Sequence, residues 1–348
     1  MVTIPKEQTA YDGYPTARTQ RTPSRALRHA KYVEQDQAFI RLLQRRHRPL
    51  LDTIREETAF NAGASVPVRR LWLRIERHLY PALEAREALS IGDGEMVRYC
   101  EAFLLRFSMP VVLWDEWTDK ASSRSETDVL NGAYLSFRGQ VAIDALRSGR
   151  RISLALNDAY AHIVKSALEE ETMLFRIPSP RAAKTLITTS SSSRYYRSLC
   201  GYFSAIITGL LLLSGRRVSR SLREFLRLFG VLRQIADDIA DVHEDLSRGL
   251  VTLPLLSCMD DDRIEKGIDE YWHRRRDFVS MKRLIIDAGG YERAYESGMK
   301  VFAQAERCAD RLSRRSRFVL ALMPFFELKR LLLLRLRDNN WDDAIRLS

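Results

Sequence analysis

The residues best suited to chemistry lie in the segment Gln234-Ile-Ala-Asp237-Asp238-Ile-Ala-Asp241-Val-His-Glu-Asp245. At 3.6 residues per turn, positions four apart on a helix fall about 40° from one another around the axis. Asp237, Asp241 and Asp245 then share one row with Gln234 and Asp238 beside it, and Ile235, Ile239, Val242 and Leu246 form an adjoining apolar stripe. Carboxylates at this spacing repel by roughly a few tenths of a kcal/mol per pair, and by more where they face a cavity instead of water. A divalent cation removes that repulsion, and carboxylate oxygens are the ligands Mg²⁺ prefers. The plain alternative is a solvated acidic face. It is disfavoured because the stretch from Phe229 to Leu256 is otherwise apolar enough to be packed nearly all round.

A second acidic group precedes it, Trp114-Asp115-Glu116-Trp117-Thr118-Asp119, in which Asp115 and Asp119 again share a helical face. It follows Phe103 to Trp114, where Arg106 and Ser108 are the polar breaks. That run predicts a buried helix, kinked where Pro110 lacks a backbone donor. One acidic helix end is commonplace. Two, each following an apolar helix, form a constellation: facing each other they could hold several Mg²⁺ ions, and the ions a diphosphate.

The elements that must position these groups read as helices throughout. Residues 1 to about 35 carry Pro5, Gly13, Pro15 and Pro23 without apolar periodicity, so they are expected to be a flexible tail. A transit peptide is the alternative there, weakened by Glu7 and Asp12. From residue 36 to 348 apolar residues recur three and four apart, and prolines are absent over long intervals. Breaks are predicted at 61–68, 91–94, 120–127, 148–151, 177–180, 188–193, 215–221, 248–254 and 288–290. Asn131-Gly132 reads as a helix irregularity and not a hairpin turn, and His243 as an exposed helical histidine. With no repeat and no long linker, the expectation is an all-α, single-domain multi-helix bundle around a central cavity.

Composition narrows the class. The chain has 348 residues, 45% hydrophobic and 29% charged, enough to bury a sizeable core. Its most apolar run, Leu199 to Leu213, is interrupted by glycines and hydroxyls and falls short of the roughly 20 residues that span a bilayer. Cys100, Cys200, Cys258 and Cys308 are scattered, which fits a reducing, cytoplasmic setting better than a disulfide framework or a zinc site. The +11 charge, from 56 Lys+Arg against 45 Asp+Glu, suits an anionic substrate or a solvated basic surface. No RNP, zinc-finger or P-loop pattern supports a nucleic-acid or nucleotide partner.

In this order and spacing the features resemble the isoprenoid synthase superfamily, comprising the trans-isoprenyl diphosphate synthases and the class I terpene cyclases. Gly230-Val-Leu-Arg233-Gln234-Ile-Ala-Asp237-Asp238-Ile-Ala-Asp241 resembles the family's Gly-x-x-Phe-Gln-x-x-Asp-Asp-x-x-Asp, with Arg233 in place of Phe. Gly249-Leu-Val-Thr252-Leu-Pro254 resembles its Gly-Lys-x-Thr-x-Pro, and Asp115-Glu116-x-x-Asp119 its first motif with one Asp→Glu change. The helix from Arg197-Ser198-Leu199 is similar to the one opening Lys-Thr-Ala. The likeness covers roughly residues 60 to 260.

The resemblance implies three Mg²⁺ ions held by Asp115, Asp119, Asp237, Asp241 and Asp245, with Glu116 and Asp238 auxiliary. It implies Arg197, Gln234 and Arg248 at the substrate, an allylic prenyl diphosphate such as geranyl, farnesyl or geranylgeranyl diphosphate, and a homodimer. Trp114, Trp117, Tyr134, Phe137, Tyr195, Tyr196, Tyr202 and Phe203 are candidates for a cation-shielding pocket, about a third of them expected there and the rest in the core. Three features depart from the elongating synthases: Lys120-Ala-Ser-Ser-Arg124 replaces a paired arginine and glycine, Pro67-Val-Arg69-Arg70 is a partial counterpart of the grip on isopentenyl diphosphate, and Leu250 stands where the Gly-Lys motif has lysine, with Arg248 able to reach the same anion. One bound diphosphate and a cyclase therefore come first. Prenyl transfer to isopentenyl diphosphate or to an aromatic or indole ring is the alternative, followed by a non-catalytic regulatory subunit and a plain helical scaffold.

Overall fold

The computed structural model describes residues 25–63, 66, 68–113, 126–176, 201–247, 251–273, 275–313 and 316–341, and among these every regular element is a helix. The elements in order are α1 (Arg25–Ala62), α2 (Val68–Ile75), a 3-10 turn (Glu76–His78), α3 (Tyr80–Leu89), α4 (Asp93–Phe103) and a π segment (Leu104–Ser108). They continue as α5 (Glu126–Asp144), α6 (Gly149–Arg176), α7 (Gly201–Leu213), α8 (Arg220–Ala240), α9 (Val242–Ser247) and α10 (Leu253–Leu256). The last four are α11 (Asp262–Trp272), α12 (Phe278–Asp287), α13 (Gly290–Ser313) and α14 (Phe318–Asp338).

Local chemistry sets several of these boundaries. Ser219 caps α8 by accepting from Leu222 N at 3.2 Å, Asp261 caps α11, and Asp277 caps α12 by accepting from Ser280 N at 2.8 Å. The turns after α3 and α7 use left-handed residues, Ser90 at φ 55° and Gly215 at φ 75°. Helix α1 starts at Arg25, before the apolar periodicity begins at residue 36. Its first residues, Arg-Ala-Leu-Arg-His-Ala-Lys, are mostly good helix formers without a clear apolar stripe, which explains why pattern alone passes over them.

The centre of the bundle is α8, which packs on α7, α13 and α14; α7 lies on α6, and α1 against α4 and α14. Phe225, Leu226, Leu232, Ala236 and Ile239 of α8 are inaccessible to solvent. Helix α7 is almost wholly buried, so the most apolar run of the sequence is a core helix. No helix among the described residues is long and apolar enough to cross a membrane. Asn131-Gly132 lies inside an unbroken α5.

The distortion expected near Pro110 takes a specific form. The π segment Leu104–Ser108 precedes it by about one turn, and the Met109 N–H bonds the Leu104 carbonyl. A proline ring collides with the carbonyl four residues back, and a π turn moves that carbonyl aside. Helix α5 lies directly on the bulge through Gly139, where an added Cβ would sit 2.2 Å from Arg106 N and 2.6 Å from Leu105 C. The Arg106 guanidinium is held by Ser136, Gln140 and Asn157. Gly139→Ala is therefore expected to lower unfolding free energy by about 2–3 kcal/mol, because backbone on both sides must move. Urea denaturation measures it; a loss below about 0.5 kcal/mol would contradict the contact.

Candidate active site

The apolar stripe of the acidic segment is buried as the spacing requires: Ile235 is 3% exposed, and Ile239, Val242 and Leu246 are fully covered. That orientation leaves Asp237, Asp241 and Asp245 half-buried together on the neighbouring face. The helix is slightly disturbed at Asp241 (φ −104°), yet Asp241 N still bonds Asp237 O at 2.9 Å and Asp245 N bonds Asp241 O at 2.9 Å. The row therefore continues from α8 into α9.

The four aspartates do different work. Asp238 is 2% exposed, and both its oxygens accept protein hydrogens: Gln234 Nε2 at 2.7 Å and Leu253 N, the first residue of α10, at 3.2 Å. It thus ties the acidic helix to the Thr252-Leu253-Pro254 turn, the two segments that carry most of the sequence resemblance. Gln234, expected at the substrate, donates its amide to this carboxylate. Asp238→Ala strands a half-buried N–H and a half-buried amide and is expected to cost about 1–3 kcal/mol, read by denaturation; an unchanged midpoint would refute the tie.

Asp237 is met by cations. Arg233 Nε donates to its Oδ2 at 3.0 Å, and Lys329 Nζ of α14 lies 3.6 Å from Oδ1. Arg233 stands where the resembling motif has Phe, so that departure delivers a guanidinium to the row's first carboxylate. Lys329 is far along the chain and sits in an ordinary amphipathic pattern, so nothing in the sequence singles it out. Asp241 lies deeper in repulsion: burial first, then Asp237, Glu244 and Asp238, push its carboxyl up to about 6, opposed only in part by Lys329.

His78 also escaped the sequence reading. Its Nδ1 is 2.9 Å from Ser108 Oγ and its ring stacks on Tyr202 at 4.3 Å. Burial, then Arg233 and Arg74, depress its pKa to about 3, so it is neutral at physiological pH. Phe107 packs edge-on to Tyr202 with centroids 5.4 Å apart, which extends an aromatic cluster from α7 to the π segment.

Other expected pocket residues lie elsewhere. Tyr134 and Phe137 point outward from α5, 46% and 69% exposed, and Phe203 is core, stacked on Phe229 at 3.8 Å. Helical spacing fixes which residues share a face, not which face turns inward. His243 is half-buried against Phe278 of α12, ring centroids 4.3 Å apart, and not an exposed residue. Asp115, Glu116, Asp119, Arg197, Arg248, Trp114, Trp117, Tyr195 and Tyr196 lie outside the described residues.

The row suits a hard cation in its chemistry: every donor is a carboxylate, and Asp241 carries repulsion that a divalent ion would relieve. Among the described residues no three acidic, histidine or cysteine side chains converge on one point.

No protein-family model matches the chain, and no curated protein matches it in sequence. Solved structures do. A decaprenyl diphosphate synthase from Rhodobacter capsulatus superposes with a TM-score of 0.64 at 15% identity, covering 83% of this chain and 97% of that one. A polyprenyl synthase from Caulobacter crescentus CB15, complexed with calcium and isoprenyl diphosphate, gives 0.58 at 16% identity over 90% and 99%. A geranylgeranyl pyrophosphate synthase from Lactobacillus brevis gives 0.63 at 15% identity over 83% and 96%. The chain therefore has the all-α fold of the isoprenoid synthase superfamily, as the motifs implied. Its likeness is to the trans-prenyl diphosphate synthases that share that fold.

Proposed function

We propose that the protein binds an allylic prenyl diphosphate through Mg²⁺ and ionises it, and that the cation is passed to an acceptor as a prenyl transfer. The observation that carries this reading is the half-buried carboxylate row Asp237–Asp241–Asp245, its charge only partly compensated at Asp241, on the helix at the centre of a prenyl-synthase fold. The likeness to a structure holding calcium and isoprenyl diphosphate supports a divalent ion and a lipid diphosphate as the ligands.

Bound Mg²⁺, three ions in the expected arrangement, would neutralise charge growing on the diphosphate as its C–O bond breaks. Asp237, Asp241 and Asp245 would hold it from one side, with Asp115, Asp119 and Glu116 as the opposing set. Asp238 and Gln234 keep the row in position instead of touching substrate. Arg233 and Lys329, already at Asp237, would turn toward diphosphate oxygens, together with Arg197 and Arg248. The Tyr202–His78–Phe107 cluster offers ring faces that shield a cation, and the lowered basicity of the His78 imidazole makes it a poor acceptor of a proton from that cation.

Cyclisation of the same cation is the second reading. The partial counterpart of the isopentenyl diphosphate grip, Arg70, is exposed and faces Asp128 of α5 at 3.9 Å. Incubation with Mg²⁺ and geranyl, farnesyl or geranylgeranyl diphosphate, with and without isopentenyl diphosphate, tests both. Longer diphosphates formed only with isopentenyl diphosphate support transfer, and hydrocarbon from a lone substrate supports cyclisation. No diphosphate release from folded protein under any condition sinks both and favours a regulatory subunit.

The protein is further proposed to act as a homodimer. Leu130, Tyr134, Phe137 and Val141 make an exposed apolar stripe along α5, between 46% and 70% accessible, and such a stripe invites a partner.

A further inference from the structure

A cleft of about 1200 Å³ opens at the N-terminal end of α8, lined by Arg216, Arg217, Arg220, Arg223, Arg227 and Arg311. Arg220 and Asp237 are separated along one helix by about 25 Å at 1.5 Å per residue, so this cleft lies far from the acidic row. Glu224 is its carboxylate, and both oxygens of Glu224 are taken by Arg227, at 2.9 and 2.6 Å. Arg311 is braced by the Arg307 carbonyl at 3.1 Å and Arg216 by the Ala88 carbonyl at 3.3 Å. Among the described residues Arg217, Arg220 and Arg223 have no ion pair.

We propose that this cleft binds a small phosphate-bearing anion, with inorganic diphosphate as its simplest member. Clustered guanidinium groups repel one another, and the walls concentrate their field, so an anion is drawn in and relieves the repulsion. Guanidinium forks match phosphate oxygens in geometry, and the N-terminus of α8 adds its partial positive charge. A second arginine-lined cleft, formed by Arg41, Arg45, Arg48 and Arg55, shows the contrast. There Asp52 takes Arg55 at 2.9 Å and Arg48 at 3.8 Å, and Glu76 adds a second carboxylate, so two carboxylates offset half the charge of four arginines, against one carboxylate for six arginines at α8. A concave cavity with an apolar floor of Leu211, Leu222 and Val319 favours a discrete anion over a flat membrane or an extended nucleic acid. The proposal does not depend on the reaction assigned to the acidic row.

Calorimetric titration of the full chain with sodium pyrophosphate, in EDTA and at low ionic strength, tests it, because EDTA silences any metal-dependent site. Saturable binding is expected, weakening with added salt, and unaffected by Asp237→Ala. The variant Arg217→Gln/Arg220→Gln/Arg223→Gln is expected to weaken it at least about tenfold while prenyl diphosphate turnover with Mg²⁺ is retained. Should that variant fail to fold, Arg217→Gln alone, in the loop ahead of the helix, is expected to weaken binding about threefold. No binding by the wild-type protein, or equal binding by the arginine variant, would overturn the proposal. Recruitment to phosphatidylglycerol vesicles without binding of free pyrophosphate would overturn it in favour of a membrane-facing surface.

Discussion

Asp241→Asn is expected to abolish Mg²⁺-dependent diphosphate release while leaving the metal-free protein more stable at neutral pH. The two effects share a cause. The carboxyl of Asp241 is raised to about 6 by burial and by its acidic neighbours. A group that holds its proton more tightly when folded favours the folded state at low pH, and that advantage is lost as pH rises from about 4 to about 6. Above that range the folded protein carries the full repulsion, on the order of 1 kcal/mol once solvent screening at a half-buried site is allowed for. Asparagine removes the charge, so the melting midpoint without metal should rise by about 2 °C at pH 7.5 and change little at pH 4.5. Turnover should fall by about a thousandfold or more, since a ligand and its charge are both lost. In the wild type, the Mg²⁺ concentration needed for half-maximal activity should climb as pH drops below about 6, where protons compete with the metal. Near-normal turnover in the variant would remove Asp241 from the metal site; a lowered midpoint at pH 7.5 would show its charge is not a burden.

Phe137→Asp is expected to convert a dimer into a monomer. The exposed stripe on α5 has an internal symmetry: pairing Leu130 with Val141 and Tyr134 with Phe137 matches residues whose numbers share one sum, 271. Two copies of α5 laid antiparallel would therefore bury the same contacts twice, as a two-fold interface requires. Each substitution is felt on both sides, so a loss of about 2 kcal/mol per copy becomes about 4 kcal/mol for the pair, close to a thousandfold in dissociation constant. Light scattering at micromolar concentration measures it. A wild-type monomer, or a variant dimer of unchanged affinity, would refute the interface.

How much of this was legible in the sequence depends on what each signal encodes. The stripe Ile235–Ile239–Val242–Leu246 was readable because burial and periodicity coincide, and it oriented the acidic row correctly. The same logic failed for Tyr134 and Phe137, because periodicity identifies a face without saying whether core or solvent lies opposite. Asp238 looked like its neighbours until its partner was known: Leu253 N belongs to a turn whose return to α8 is a tertiary event. Lys329 and His78 reach the site from helices packed on α8 and from a 3-10 turn, and neither carries a motif. The π segment was foreshadowed by Pro110 only as some distortion, since the ring forbids one geometry without choosing its replacement.

That π segment also sets the phase of everything that follows it on the same helix. A turn holding one extra residue rotates the continuation, Met109 to Leu113, by roughly a quarter of a revolution relative to an unbroken α-helix. Straightening this stretch with every residue kept would swing those side chains off their present neighbours, whereas removing one residue between Leu104 and Ser108 restores ordinary winding and leaves them in place. The stretch should thus tolerate the loss of one residue better than a further gain: the deletion closes the bulge in register, whereas an insertion re-aims an entire buried strip.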